Sequence, residues 1–267
     1  MQSLWTGLAA MQASDAWLNR VSNNIANQST PGFAASRGSF ADTYTSLVLA
    51  NATAGGVAGR YTPQGWRGGT GVLATSSNLD FSQMPLQQTG NPLDFAIRGS
   101  GFFAVDAGQG TTALTKAGDF ALSKQVDGTF VLATQSGQPV LDTLGRKIVI
   151  PAQGNQHLSV APDGQITIGG RPTGQRLAIM GVSMASEKLQ GIGNNLYLAK
   201  PGVTPKVLNQ FNAPVGISIA QGTLAMSNVN MAKTMASMLE AQRMFDLNAV
   251  GLRYTNQMMQ TADSIRN

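Results

Sequence analysis

Residues 231–259 read MAKTMASMLEAQRMFDLNAVGLRYTNQMM, and their apolar period decides the fold. Met231, Met235, Met238, Phe245, Ala249, Leu252 and Met259 recur at alternating spacings of four and three, a heptad seam whose polar interruptions are Gln242 and Asn256. With Ser227 or Asn228 as N-cap, a helix over about 228–264 would be roughly 55 Å long at ~1.5 Å per residue. That is too long for one side of a small domain, so the helix needs a partner along its length. The opposite end of the chain carries a matching seam: Leu4, Leu8, Met11, Leu18 and Ile25, interrupted by Asp15 and Ser22 and broadened by Trp5 and Val21. Ser29-Thr30-Pro31-Gly32 ends that helix, because Pro31 pushes Thr30 out of the helical region and Gly32 accepts turn geometry. The methionines read first as core filling. Their flexibility also suits an interface repeated against several neighbours.

Between the two seams the period changes to two. Asp94–Ile97, Gly101–Asp106, Phe120–Ser123, Thr129–Ala133, Lys147–Ile150, Gln165–Ile168 and Leu177–Val182 read as short strands. Asp127-Gly128, Ser136-Gly137, Leu144-Gly145 and Asp163-Gly164 supply turns between them. The expected core is Phe95, Ile97, Phe102, Phe103, Val105, Phe120, Val131, Ile148, Ile150, Ile166 and Ile179. Phe102 and Phe103, adjacent on one strand, must face opposite ways. The fold class is therefore α+β: N- and C-terminal helices pairing as a coiled coil, with an inserted antiparallel all-β domain. The expected segments are helix 1–31, connector 32–92 with a Gly-rich stretch at 55–71, β domain 93–200, return connector 201–221 and helix 222–267.

The composition excludes more than it selects. Of the 267 residues 12% are charged, about half the ~25% usual for soluble domains, so polar surfaces are free to meet other protein. The net charge of +5 comes from scattered Lys and Arg, with no basic stripe interleaved with stacking aromatics, which argues against nucleic acid as a partner. With no cysteine, disulfides and thiolate chemistry are excluded. The first basic residue is Arg20, and Gln12, Ser14 and Asp15 interrupt any apolar run, so the N-terminal stretch does not read as a cleaved secretory signal.

Catalytic constellations are equally sparse. His157 is the only histidine, and no GxSxG elbow accompanies it. The thirteen carboxylates are dispersed, without metal-ligand spacing. Gly99-Ser100-Gly101 opens like a dinucleotide-binding loop, but Ala104 stands where the third glycine belongs. The one acid–base arrangement left open is a pair among Asp94, Asp106, Asp119 and Asp127. The reading from these residues is no enzyme, no cofactor and no metal.

Three stretches, in order, resemble the flagellar rod and hook protein family. The first is Ser22-Asn23-Asn24-Ile25-Ala26-Asn27 followed by Thr30-Pro31-Gly32-Phe33. The second runs from Asn91 to Val105 and continues in Thr115-Lys116-Ala117-Gly118-Asp119-Phe120. The third is Gln221-Gly222-Thr223-Leu224, Ser227-Asn228-Val229-Asn230 and Gln242-Arg243 with Phe245. Two positions depart from the family pattern: Ala34 stands where Lys is common, and Met84 where Gly is common. The resemblance implies a structural subunit of the basal-body rod, placed in the cell envelope and exported through the flagellar type III apparatus without signal cleavage. Length and a compact β region favour a proximal-rod type, with a distal-rod subunit next and a short hook protein after it. Implied partners are copies of itself, related rod and hook axial proteins and the export apparatus, with peptidoglycan nearby. The expected assembly interface is Leu4, Leu8, Met11, Leu18, Asn23, Asn24, Ile25, Asn27, Met231, Met235, Met238, Gln242, Phe245 and Leu252. The alternative from another class is an envelope carbohydrate-binding protein or an enzyme acting on peptidoglycan.

Overall fold

A computed structural model describes residues 2–38, 40–42, 45–48, 66–69, 72–74, 78–108, 110–125, 128–151, 158–209 and 216–266. Its helices are α1 (Gln2–Ala26), the single turn α2 (Ala185–Lys188) and α3 (Met231–Arg266). The chain divides into two compact units. One comprises Met1–Ile25, Ser36–Asn78 and Met231–Asn267, the other Ala26–Ala35 and Leu79–Asn230.

In the first unit α1 and α3 pack together. Gly7 sets their approach, since a Cβ placed there would come within 2.8 Å of Leu252 Cδ2. Asn248 Nδ2 reaches Ser14 Oγ at 3.5 Å, the outer limit of a hydrogen bond, and Ser14 Oγ donates to the Ala10 carbonyl at 2.9 Å. Ala13, Ser14 and Val21 of α1 and Ala241 of α3 are buried. At the end of α1 the Asn24 amide holds the backbone of Ser36 from both sides, donating to its carbonyl at 2.8 Å and accepting its N–H at 2.9 Å. Beyond it, Phe40–Asp42 pairs antiparallel with Val72–Ala74 and Thr45–Val48 with Trp66–Gly69, the two pairings sharing one register. Paired strands thus occupy part of the stretch read as a connector. Trp66–Gly69 lies within the Gly-rich run, whose residues 55–65, 70 and 71 fall outside the described residues.

The second unit is built on a six-stranded antiparallel sheet. Its order is Leu189–Gly193, Leu196–Ala199, Thr112–Thr115, Phe102–Asp106, Ile179–Gly181 and Lys206–Val207. It also holds two three-stranded sheets. One is formed by Phe120–Lys124, Phe130–Thr134 and Val149–Ile150, the other by Leu158–Val160, Gln165–Ile168 and Arg171–Arg176. All eleven expected core residues are buried. Phe103 lies in the main cluster with Phe95, Phe120 and Ile179, while Phe102 lies in a second cluster with Leu114 and Tyr197, as alternation on one strand requires. Ser218–Gln221, within the stretch 201–221 read as a connector, pairs with Phe95–Arg98, and Thr223–Ala225, within the stretch 222–267 read as helix, pairs with Leu86–Gln88.

One expected cap is corrected. α3 begins at Met231, so neither Ser227 nor Asn228 is the residue before it. Asn228 is used elsewhere. Its Oδ1 accepts the Ala35 N–H at 2.8 Å, and its Nδ2 donates to the Asp80 carbonyl at 2.8 Å and Ser82 Oγ at 3.2 Å. Ser227 Oγ accepts the Val229 N–H at 3.3 Å.

Candidate assembly surfaces

The residues expected at an interface fall into two groups. Met11, Leu18 and Ile25 of α1 and Met238, Phe245 and Leu252 of α3 are half-buried. Leu8, Met231, Met235 and Gln242 are exposed, and the side chain of Leu4 is outside the described ones. The packed face of α3 runs through Ala241 rather than Gln242, continuing to Met244, Phe245, Asn248, Leu252, Thr255 and Met259. The first turns of the expected seam are therefore rotated by one residue, with the small Ala241 fully buried on the packed face. Of the three asparagines, Asn24 is buried on the backbone of Ser36 and Asn23 is exposed. Asn27 closes a turn, its side-chain Oδ1 and its carbonyl each accepting from Thr30 at 3.2 Å.

The structure also shows a stripe that the sequence reading missed. Leu247 (71% exposed), Tyr254, Met258 and Ile265 (80% exposed) follow one another at spacings of seven, four and seven along α3. That places them on one face, away from the packed one. Trp5 and Leu239 add further exposed apolar surface. Covering such side chains is worth ~1.5–3 kcal/mol each, so the bare helix pair has a strong drive to associate. The Leu247–Tyr254 heptad step was visible in the sequence, but the methionine seam masked it.

Of the carboxylates considered as an acid–base pair, Asp94 and Asp106 are otherwise engaged. Asp94 accepts from Thr89 Oγ1 at 2.6 Å and Asn91 Nδ2 at 2.9 Å. Asp106 accepts the Gly108 N–H at 2.9 Å and faces Lys147 at 3.7 Å. Asp119 forms an isolated strand bridge with Asp94, and burial, assisted by the Asp94 charge, raises its pKa above the usual carboxylate value. Asp127 and His157 lie outside the described residues. Among those described, no group of three or more His, Asp or Glu is gathered as metal ligands would be.

Sequence comparison supplies what geometry leaves open. Residues 4–33 match the family described as flagella basal body rod protein, residues 96–168 the flagellar hook protein FlgE/F/G D1 domain, and residues 220–265 the flagellar basal body rod FlgEFG protein C-terminal region. The flagellar basal-body rod protein FlgG of Bacillus subtilis (strain 168) is 32% identical over 97% of both chains. The chain belongs to the flagellar basal-body rod protein family. FlgG of Caulobacter vibrioides is 28% identical over the whole of both chains, and the rod protein FlgF of Rhizobium meliloti 30% identical over 91% of this chain and 88% of its own. The first family match ends on the Thr30–Phe33 turn, and here its glycine has a physical reason. Gly32 takes φ 68°, its N–H donates to the Ala225 carbonyl at 2.7 Å, and a Cβ would collide with the backbone of Ala117.

Proposed function

We propose that this protein is a structural subunit of the flagellar basal-body rod, joined to copies of itself and to related axial subunits. Head-to-tail contacts that do not close propagate a helical tube, and many such contacts in parallel carry torque. The chain would reach its site through the flagellar export apparatus and lie close to peptidoglycan without hydrolysing it. The observation that carries this reading is the second apolar stripe of α3. One face of that helix packs α1, while Tyr254 and Met258 remain open on another. A helix with two apolar faces is built for two neighbours.

The test is Tyr254→Asp combined with Met258→Asp. The purified subunit should keep its helicity and melting temperature, since both side chains already stand in water. In cells the variant should be absent from isolated basal bodies, and swimming should be lost. Normal swimming with the variant present in rods would overturn the reading.

A further inference from the structure

The second unit contains an open cavity of about 650 Å³, beside the edge strand Lys206–Val207. Apolar side chains such as Val182, Leu208 and Ile217 line much of it. Its ionisable lining residues are Lys116, Lys188 and Lys206, with no carboxylate among them. Lys116 is already engaged, donating to the Phe81 carbonyl at 3.0 Å with its ammonium 5.5 Å over the Phe102 ring. The side chains of Lys188 and Lys206 have no hydrogen bond or ion pair among the described residues. An apolar recess with unpaired cations fits an apolar side chain next to a carboxylate.

The chain itself offers that combination. Among the described side chains, the exposed carboxylates with no partner are Glu187, Glu240 and Asp246. Glu187 sits on the single turn α2 beside the cavity and outside its lining. Asp246 lies about a third of a turn from Glu240 on α3. Glu240 and Leu247 are seven residues apart, hence on one face of α3 and about 10 Å apart along its axis. Leu247 is 71% exposed.

We propose that this cavity is the docking site for α3 of the next copy of this chain, with Leu247 entering the recess and Glu240 pairing with Lys188 and Lys206. The inference deepens the rod-subunit reading and rests on it. It assigns the head-to-tail contact to a specific pair of surfaces, an apolar knob with an acid on one copy and a basic recess on the other.

The chain has no cysteine, so site-directed cross-linking has no background. Lys206→Cys and Glu240→Cys are introduced together into the full chain in cells, and isolated basal bodies are mildly oxidised and run on a non-reducing gel. The expected result is a ladder of dimer, trimer and higher species from the double variant, with monomer from each single variant. A double variant present in basal bodies but running as monomer overturns the inference, because the bond is then absent or within one chain. A single Lys206→Cys that cross-links to a different protein overturns it too, in favour of another occupant. Charge exchange gives an independent reading: Lys206→Glu should abolish swimming, and adding Glu240→Lys should restore it. Two single variants that both swim normally would refute the pairing. If unmutated protein is missing from basal bodies altogether, the rod reading fails first and takes this inference with it.

Discussion

Gly118 sits where the β unit leaves no room for a side chain. Its carbonyl accepts the Phe95 N–H at 2.9 Å, and a Cβ there would collide with the Phe95 carbonyl oxygen while crowding the Phe103 ring. Gly118→Ala should therefore cost about 3 kcal/mol or more, read as a lowered midpoint in denaturant. Next to it, Asp119 is held above its usual pKa, chiefly by burial. A carboxyl with a raised folded-state pKa binds its proton more tightly folded than unfolded. Stability contributed by this group is thus largest at low pH and is lost as pH rises from 3.8 through the raised value. Asp119→Asn removes that loss. It should raise the melting temperature at neutral pH, and the gain should vanish below pH 3.8. An equal shift at both pH values would disprove this account of the group. The two departures from the family pattern are also legible at this scale. Ala34 and Met84 are both buried in the cluster with Phe102 and Tyr197, where a lysine would bring a charge and a glycine would leave a void.

The two long helices bear the element-scale prediction. Met238 and Phe245 are half-buried on α3. Met238→Asp introduces a charge at the packed face, and Phe245→Ala removes apolar contact worth about 1.5 kcal/mol at that burial. Either change should leave the β unit folded, as judged by near-UV circular dichroism, while excluding the subunit from basal bodies and stopping swimming. Lys124→Ala, on an exposed strand end, is the control and should swim. Much of this plan was readable from sequence. The helix–β–helix order and the eleven core residues follow from period and from Phe, Ile and Val placement. The phase of α3 did not, because the helix is apolar on more than one face and a heptad count fits several starts. Arg171–Arg176, mostly exposed and polar, has no alternation to mark it as a strand. Leu189–Gly193 is interrupted by glycines that read as turn. The lysine-lined cavity was invisible for another reason: its walls come from residues 81, 116, 188 and 206, which only the folded sheet brings together.

At the scale of the whole molecule, the separation into two units predicts how the isolated subunit is digested. A helix pair with one face bare is marginal alone, whereas the β unit has two buried clusters of its own. Trypsin should cut at Arg20 and Arg243 early and leave a fragment spanning residues 93–185. Early cleavage inside that fragment with both helices protected would contradict the division. In a peptidoglycan zymogram no clearing is expected, and clearing abolished by one carboxylate substitution would restore the enzyme alternative. One feature of the β unit bears on when it forms. Phe95–Arg98 pairs with Ser218–Gln221, the Gly32 N–H donates to the Ala225 carbonyl, and the Ala35 N–H donates to Asn228 Oδ1. The first and last threads of the unit are tied to each other across nearly two hundred positions of chain. Whatever delivers the polypeptide from its N-terminus onward, ribosome or narrow channel, the knot cannot be drawn until residue 228 has emerged. The last stretch of the unit to arrive closes it, joining its end to its first strand and turn.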